Sequence, residues 1–530
     1  MSQTSAFRDL TPSFFFLLLA ATIGPLLFGY HLAELNEPQE VITCAAAKST
    51  ATTNGFVAAA RAANAGPFPQ CIPMSSLEFG LVTSFFTLGG LIGALSGGPI
   101  TTKYGRLISM IVAAILAAIG PVFEALATNL TLFIIGRFIA GLGAGAATVI
   151  VPIYISEIAP PHQKGLFGAA TQVMINVGIL ITQLLGLFLS KGQLWRIILG
   201  VGGGIAALQA VALFMAGQES PKWLADNGKP ARAKRVLRKI RGHEANIDEE
   251  VSGWGLESER DMEDEEETLL ANEDHMHDHP ADSEGAHPDV GQDGQGDDQS
   301  KTAQAGNAAK RGAETLGFLA VLQNADVRPA VIAVVTVMVA QQLCGINSIV
   351  MYGVSLLSDL LEANAALLNV LVAALNVIVT TSAAPLVDKL GRKTCLLISI
   401  AGMGINSVLL AIGIMKSISI LSAIAVLLFV ASFGLGLGPV PFILSSELVG
   451  AEAVGATQSW ALAANWIATF IVAQFFPIVN EKLGKGQVYF IFAAFALVFG
   501  AFTAWWVPET LGKRDAEEVW GRKKDRSRED

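Results

Sequence analysis

The stretch GPITTKYGRLIS (98–109) returns as APLVDKLGRKTC (384–395), and VPIYISEIAP (151–160) returns as VPFILSSELVG (440–450), each pair about 290 residues apart. Both echoes fall at the end of a long apolar segment. A chain that repeats the end of an apolar segment at a fixed offset is a duplicated bundle of membrane helices. Working outward from these anchors, apolar stretches long enough to cross a bilayer, roughly 20 residues, lie near 13–33, 77–99, 107–127, 130–151, 165–189, 195–216, 329–357, 365–387, 394–415, 419–444, 453–478 and 487–507. That is twelve spans, six on each side of a central loop. The first is too long, and lacks the small-residue cleavage site, for a removable signal peptide.

Composition supports an all-α polytopic membrane protein and disfavours a soluble enzyme. Hydrophobic residues make up 52% of the chain, charged residues 15%, and mean hydropathy is +0.52. Lys and Arg gather in one set of loops, at Lys103, Arg106, Lys164, the 222–241 stretch, Lys389, Arg392, Lys393, Lys513 and Arg514. The positive-inside rule makes those loops and both termini cytoplasmic. The net charge of −10 comes from one segment, because residues 244–298 hold 21 of the 45 acids and a single basic residue, Arg260. The expected organisation is a first six-helix bundle (1–216), a cytoplasmic linker (217–320) with an acidic disordered insert near 244–312, a second bundle (321–510) and a tail (511–530). Within the linker, ARAKRVLRKIRG (231–242) sets Val236, Leu237 and Ile240 against Arg232, Arg235, Arg238 and Lys239. It reads as a short amphipathic helix on the cytoplasmic surface, or more plainly as a solvated basic helix.

The first outer loop is about 30 residues longer than its counterpart in the repeat, and it contains Cys44 and Cys71. In an oxidising compartment these two would form a disulfide; otherwise they are free thiols.

Polar residues inside the spans are mostly amides. The fifth span carries Gln172, Asn176 and Gln183, the seventh Gln341, Gln342 and Asn347, the eighth Asn376, and the eleventh Gln458 and Asn465, followed by Trp466. Neutral amides bind hydroxyl groups without burying a charge, so they suit a hydroxyl-rich solute. Interhelical hydrogen bonding alone is the plainer account of any one of them. No nucleophile, metal constellation or phosphate loop stands in the spans, so neither an enzyme nor a cofactor is expected, and nucleic acid is not an expected partner.

Taken together, LFGYHLAELNEPQ (27–39), KYGR (103–106), GRFIAGLGAG (136–145), VPIYISEIAP (151–160), QESPKWL (218–224), QQLCGIN (341–347), DKLGRK (388–393), GPVPFILSSE (438–447) and VPETLGK (507–513) resemble the sugar porter branch of the major facilitator superfamily. The resemblance runs along the whole chain apart from the insert, and it is closest to facilitative glucose transporters and fungal sugar porters of the vacuolar membrane. It implies the major facilitator fold, two pseudo-symmetric six-helix bundles that act as a monomer and carry a hexose or related polyol by alternating access. It further implies that Gln172, Asn176, Gln341, Gln342, Asn347 and Asn376 contact the sugar, with Phe442, Asn465 and Trp466 nearby. Arg106, Glu157, Asp388, Arg392 and Glu447 would form a cytoplasmic charge latch.

Three departures stand out. Phe442 replaces the usual Trp after GPxP, and Thr102-Lys103 replaces an acid-or-Asn/Arg pair. His31 stands where proton-coupled members have Asp and facilitators commonly have Asn. His31 should lie near Arg137 in the outer half of the membrane, which makes the two candidates for gating or proton handling. A nearby guanidinium and burial both disfavour imidazolium, so facilitated diffusion is expected over proton symport. The competing classes are a non-transporting sugar receptor, expected to carry a longer tail than the roughly 20 residues after Pro508, and a proton-coupled carrier of a myo-inositol-like polyol. Glu265, Leu269 and Leu270 form an acidic dileucine pattern of the kind adaptor complexes read. It favours the vacuolar membrane, with the plasma membrane second. The tract with His275, His277, His279 and His287 reads as solvated rather than as a metal site.

Overall fold

The computed structural model describes residues 10–45, 68–160, 163–242, 247–252, 318–361, 364–450, 453–513 and 516–521. The dileucine pattern and the His-rich tract lie outside them. Among the described residues there are no strands, and twelve helical stretches are long and apolar enough to cross a membrane. They run Pro12–Ala33, Ser76–Tyr104, Arg106–Ala125, Leu130–Ile158, Phe167–Leu189 and Trp195–Ala216 in the first lobe. In the second lobe they run Arg328–Ser358, Ala365–Ala383, Arg392–Met415, Ser419–Glu447, Val454–Leu483 and Val488–Trp506.

Several helices outrun their apolar stretch. The second span continues to Tyr104, the fourth to Ile158 and the eleventh to Leu483. Hydropathy marks only the hydrocarbon slab, whereas backbone hydrogen bonding continues until something stops it. At Tyr104 the stop is Gly105 (φ 94°), and at the equivalent point of the second lobe it is Gly391 (φ 92°).

Two spans are broken at matching depth. The seventh divides into Arg328–Leu343 and Ile346–Leu361 around Gly345 (φ 100°), and the tenth into Ser419–Leu435 and Val440–Glu447 around Gly436–Pro439. Freed backbone groups at membrane depth must find partners. Gln341 Nε2 supplies one, donating to the carbonyls of Leu437 (2.6 Å) and Gly438 (3.2 Å), while Leu437 N donates to Ser399 Oγ (3.0 Å).

Small residues let the helices close on one another. A Cβ on Gly141 or Gly145 would strike the backbone of Phe86 or Gly90, which seats the fourth span on the second. Gly29 and Gly178 do the same for the first and fifth spans.

On the side of the basic loops, Pro230–Arg241 is helical, buries Leu237 and turns Ala233, Val236 and Ile240 into a cluster with Phe14, Tyr154, Ile155 and Phe167. Arg241 donates to the Ile158 carbonyl (2.6 Å) and pairs with Glu250 (2.9 Å). This helix is therefore docked on the first lobe through its apolar face. Within the acidic segment, Asp248–Ser252 is a short helix held by that ion pair. On the outer side, a disulfide joins Cys44 to Cys71, and Ile72 N donates to the Ile42 carbonyl (2.8 Å).

Candidate functional site: amides between the lobes and flanking charge networks

The fifth and eighth spans meet through their amides. Asn176 Nδ2 donates to Thr380 Oγ1 (2.9 Å), Asn376 Nδ2 donates to Asn176 Oδ1 (3.2 Å), and the Thr380 hydroxyl donates to Asn376 Oδ1 (3.3 Å). All three residues are buried. Gln172 is partly exposed, one turn nearer the cytoplasm on the same helical face as Asn176.

The second lobe contributes its own amide chain. Asn465 Nδ2 donates to Gln341 Oε1 (2.7 Å) and to the Met338 carbonyl (3.0 Å). Gln342 Nε2 donates to Gln341 Oε1 (3.1 Å), and Asn347 Nδ2 donates to Gln342 Oε1 (2.5 Å). The structure thus brings Gln341, Gln342, Asn347 and Asn465 into one network and Asn176 and Asn376 into another. Phe442 is 40% exposed beside the broken tenth helix. Trp466 is buried, with its indole over Gly90 and edge-on to Phe28 (5.3 Å) and Phe86 (6.4 Å) of the first lobe.

Nearer the outer face, the lobes touch at two further points. Ser84 Oγ donates to Gln474 Oε1 (2.8 Å). Asn36 Oδ1 accepts from Val354 N (3.0 Å), and Asn36 Nδ2 reaches Asn369 Oδ1 (3.5 Å). Together with the midplane bonds, these contacts close the outer side in this conformation. Glu37 beside them is buried with Oε1 unpartnered, and burial pushes its carboxyl up to about 8.

His31 and Arg137 do lie together, as Arg137 Nη2 donates to the His31 carbonyl (3.0 Å). The sequence reading missed their company. Glu34 pairs with Arg137 through Nη1 and with His31 through Nδ1 (3.0 Å), and Glu124 Oε2 lies 3.9 Å from the same Nη1. All four side chains have no solvent exposure. The Arg137 guanidinium also sits 4.6 Å from the centre of the Phe86 ring, which packs near Trp466.

On the side of the basic loops, each charge network stays within its own lobe. Arg106 pairs with Glu157 (2.6 Å), and Glu219 accepts from the backbone N–H groups of Arg106 (2.8 Å) and Leu107 (3.1 Å). Burial raises the Glu219 carboxyl above its ordinary range, against the pull of those N–H groups. In the second lobe Arg392 pairs with Glu447 (3.0 Å) and Asp388 (3.2 Å), and Glu509 accepts from the N–H groups of Arg392 (2.8 Å) and Lys393 (3.1 Å). Thr510 donates to Glu447 (2.5 Å). A cavity of about 640 Å³ opens here, lined by Asp388, Arg392, Glu447, Thr510 and Lys513. Glu219 and Glu509 were not singled out from sequence, although they obey the same 290-residue offset as Glu157 and Glu447.

The family described as Sugar (and other) transporter matches residues 17–276 and 285–519. A probable metabolite transport protein of Saccharomyces cerevisiae is 32% identical over 505 residues, covering 95% of this chain and 94% of the relative. The vacuolar protein sorting-associated protein 73 of the same yeast is 31% identical over 508 residues, with 95% of each covered. The human facilitated glucose transporter member 3 of solute carrier family 2 is 30% identical over 517 residues, covering 96% and 91%. Among solved structures, the xylose transporter XylE from E. coli in a partially occluded inward-open conformation superposes with a TM-score of 0.68 at 23% identity, covering 95% and 100% of the two chains.

Proposed function

This chain belongs to the sugar transporter family of the major facilitator superfamily, and from that footing we propose that it carries a hexose across its membrane by alternating access. The carrying observation is the pair of amide networks, one bridging the lobes at Asn176, Asn376 and Thr380, the other running through Gln341, Gln342, Asn347 and Asn465. Amides that hydrogen-bond one another can exchange those partners for sugar hydroxyls at little net cost. Gln172, Phe442 and Trp466 complete the proposed surround. The bonds between lobes must break when the outer side opens, which couples occupancy of the midplane to the exchange of access.

The intralobe pairs Arg106–Glu157 and Arg392–Glu447 are the proposed halves of a cytoplasmic latch, at rest in this conformation and repartnering between lobes when the cytoplasmic side closes. Residence in the vacuolar membrane is supported by the dileucine pattern and by what one yeast relative is named for. Replacing Leu269 and Leu270 with Ala should relocate a fluorescently tagged chain, and unchanged placement would remove that support.

The test of carriage is counterflow in proteoliposomes preloaded with unlabelled hexose. Accumulation of labelled hexose, reduced in Gln341→Ala and Asn376→Ala, is the expected result. Absence of counterflow for every hexose and polyol in a panel would overturn the proposal.

A further inference from the structure

The helix Pro230–Arg241 buries one face against the first lobe and leaves the opposite face bare. We propose that this bare face is a docking surface for an acidic peptide, and that its occupant is the chain's own stretch ESERDMEDEEE (257–267).

The two faces are sharply divided. Ala233, Val236, Leu237 and Ile240 are buried, and three of them pack with Phe14 of the first span, Tyr154 and Ile155 of the fourth and Phe167 of the fifth. Thr11 Oγ1, at the start of the first span, donates to the Ile240 carbonyl (2.7 Å), which fixes the helix across the span ends. At about 100° per residue, Arg232, Arg235, Arg238 and Lys239 fall on the other side, and all four are exposed. Lys229 is exposed just before the helix, and Lys234 is partly buried on its flank. None of these six side chains has a hydrogen-bond or ion-pair partner among the described residues. Arg241, the seventh base, is turned inward and already takes an acid from the segment that follows. Its Nε and Nη2 donate to the two carboxylate oxygens of Glu250, each at 2.9 Å.

Orientation selects the kind of partner. A basic amphipathic helix that binds a bilayer inserts its apolar face among the lipids, and here that face is occupied by the ends of three spans. The basic face therefore points away from the spans and from the lipid around them, toward a polyanion arriving from the water. The chain supplies one at short range. Residues 253–298 hold 17 acids and a single base, Arg260, and the densest part, 257–267, has eight acids in eleven residues. It begins five residues after Ser252, the end of the short helix that Glu250 ties to Arg241. Five extended residues reach about 17 Å, and the basic helix is about 18 Å long, so the stretch can lie along the bare face with the structure unchanged. One exposed ion pair is weak, but several on so short a tether act at an effective concentration on the order of a millimolar.

The test is contact cross-linking of the full-length protein in nanodiscs of neutral lipid. A water-soluble carbodiimide joins a carboxylate to an amine where the two touch, and mass spectrometry reads the joined peptides. Lys229, Lys234 and Lys239 report the basic face, while Lys103 and Lys389, exposed in other basic loops, serve for comparison. Joining of 257–267 to the three face lysines should exceed joining to the other two by at least about fivefold. It should fall toward the comparison level in about 1 M salt, where the Debye length shrinks to about 3 Å. The triple variant Arg232→Gln, Arg235→Gln, Arg238→Gln keeps every lysine and the tether, so it removes charge alone, and it should lower the yield several-fold.

An even spread over all five lysines, or an unchanged yield in the triple variant, would overturn the proposal. So would loss of the cross-links in nanodiscs containing anionic lipid, which would assign the face to headgroups. The substituted sites are exposed, and monodisperse elution establishes folding; if the variant fails it, the salt arm in the parent decides, with a salt-independent yield counting against docking. No sugar is involved, so docking can fail while counterflow succeeds, and the reverse.

Discussion

Removing one hydrogen bond between the lobes should open the outer side by a calculable factor. Ser84 Oγ and Gln474 Oε1 are 2.8 Å apart, Ser84 has no exposed surface and Gln474 has 5%. In Ser84→Ala the Gln474 oxygen loses its donor only while the lobes are closed, since water reaches it when they part. A buried acceptor left unpaired costs about 1–3 kcal/mol, which is a shift of about 5- to 150-fold in the equilibrium between closed and open forms. Ala373 is buried against Ala33, Ile175 and Ile179 of the first lobe, and the rate at which a membrane-impermeant thiol reagent labels an Ala373→Cys background should rise by that factor while the melting profile stays cooperative. Gly80→Ala should act in the same direction by a different route, because its new Cβ would lie 2.8 Å from the Gln474 carbonyl oxygen and wedge the same interface. A folded Ser84→Ala protein labelled within about twofold of its parent would refute the assignment of this contact to the outer gate.

Three other substitutions probe separate parts of the reasoning. Gln341→Leu leaves the carbonyls of Leu437 and Gly438 and the amide of Asn465 without their partner. It should lower the melting temperature by an amount equivalent to about 1–3 kcal/mol per group and abolish the stabilisation that added hexose gives the parent. Gly105→Ala and Gly391→Ala each impose a side chain at positive φ and against the capping carboxylate of Glu219 or Glu509. Both should destabilise, by about 1 kcal/mol or more, and to a similar degree; a neutral result in one lobe would show that the two caps are not equivalent. Glu37 is held up to about 8 by burial, so the folded chain binds its proton more tightly than the unfolded chain does. Its contribution is complete below the ordinary carboxylate range and is lost as pH rises toward 8. Glu37→Gln should therefore melt like the parent near pH 5 and above it near pH 9, by up to about 5 kcal/mol; parallel melting curves across that range would contradict the burial argument.

The duplicated motifs and twelve apolar stretches placed every span, because hydrophobic length and a fixed repeat are one-dimensional properties. The broken helices were visible only as glycine and proline in the seventh and tenth spans, with no sign of which side chain would satisfy the freed carbonyls. Gln341 does so from 96 residues away, and that partnership depends on how two helices cross. Glu219 and Glu509 could have been found by applying the repeat a third time, since each follows its lobe's last span and caps the helix that begins at Arg106 or Arg392.

Glu124 had no such signal. At the end of an apolar stretch a lone acid reads as an interfacial residue, and nothing in its neighbours says that the helix end turns inward. Glu34, within a run already crowded with Asn36, Glu37 and Gln39, reads as part of a polar loop. Only packing shows that the first, third and fourth spans aim these two acids at one guanidinium. The expectation of facilitated diffusion was argued from His31 beside Arg137 alone, a pair in which a cation disfavours a second positive charge. In the structure two carboxylates, Glu34 and Glu124, share that guanidinium. Arg137 is then outnumbered, and His31 becomes the hydrogen-bonding neighbour of an acid rather than the rival of a base. In this conformation no solvent reaches the cluster.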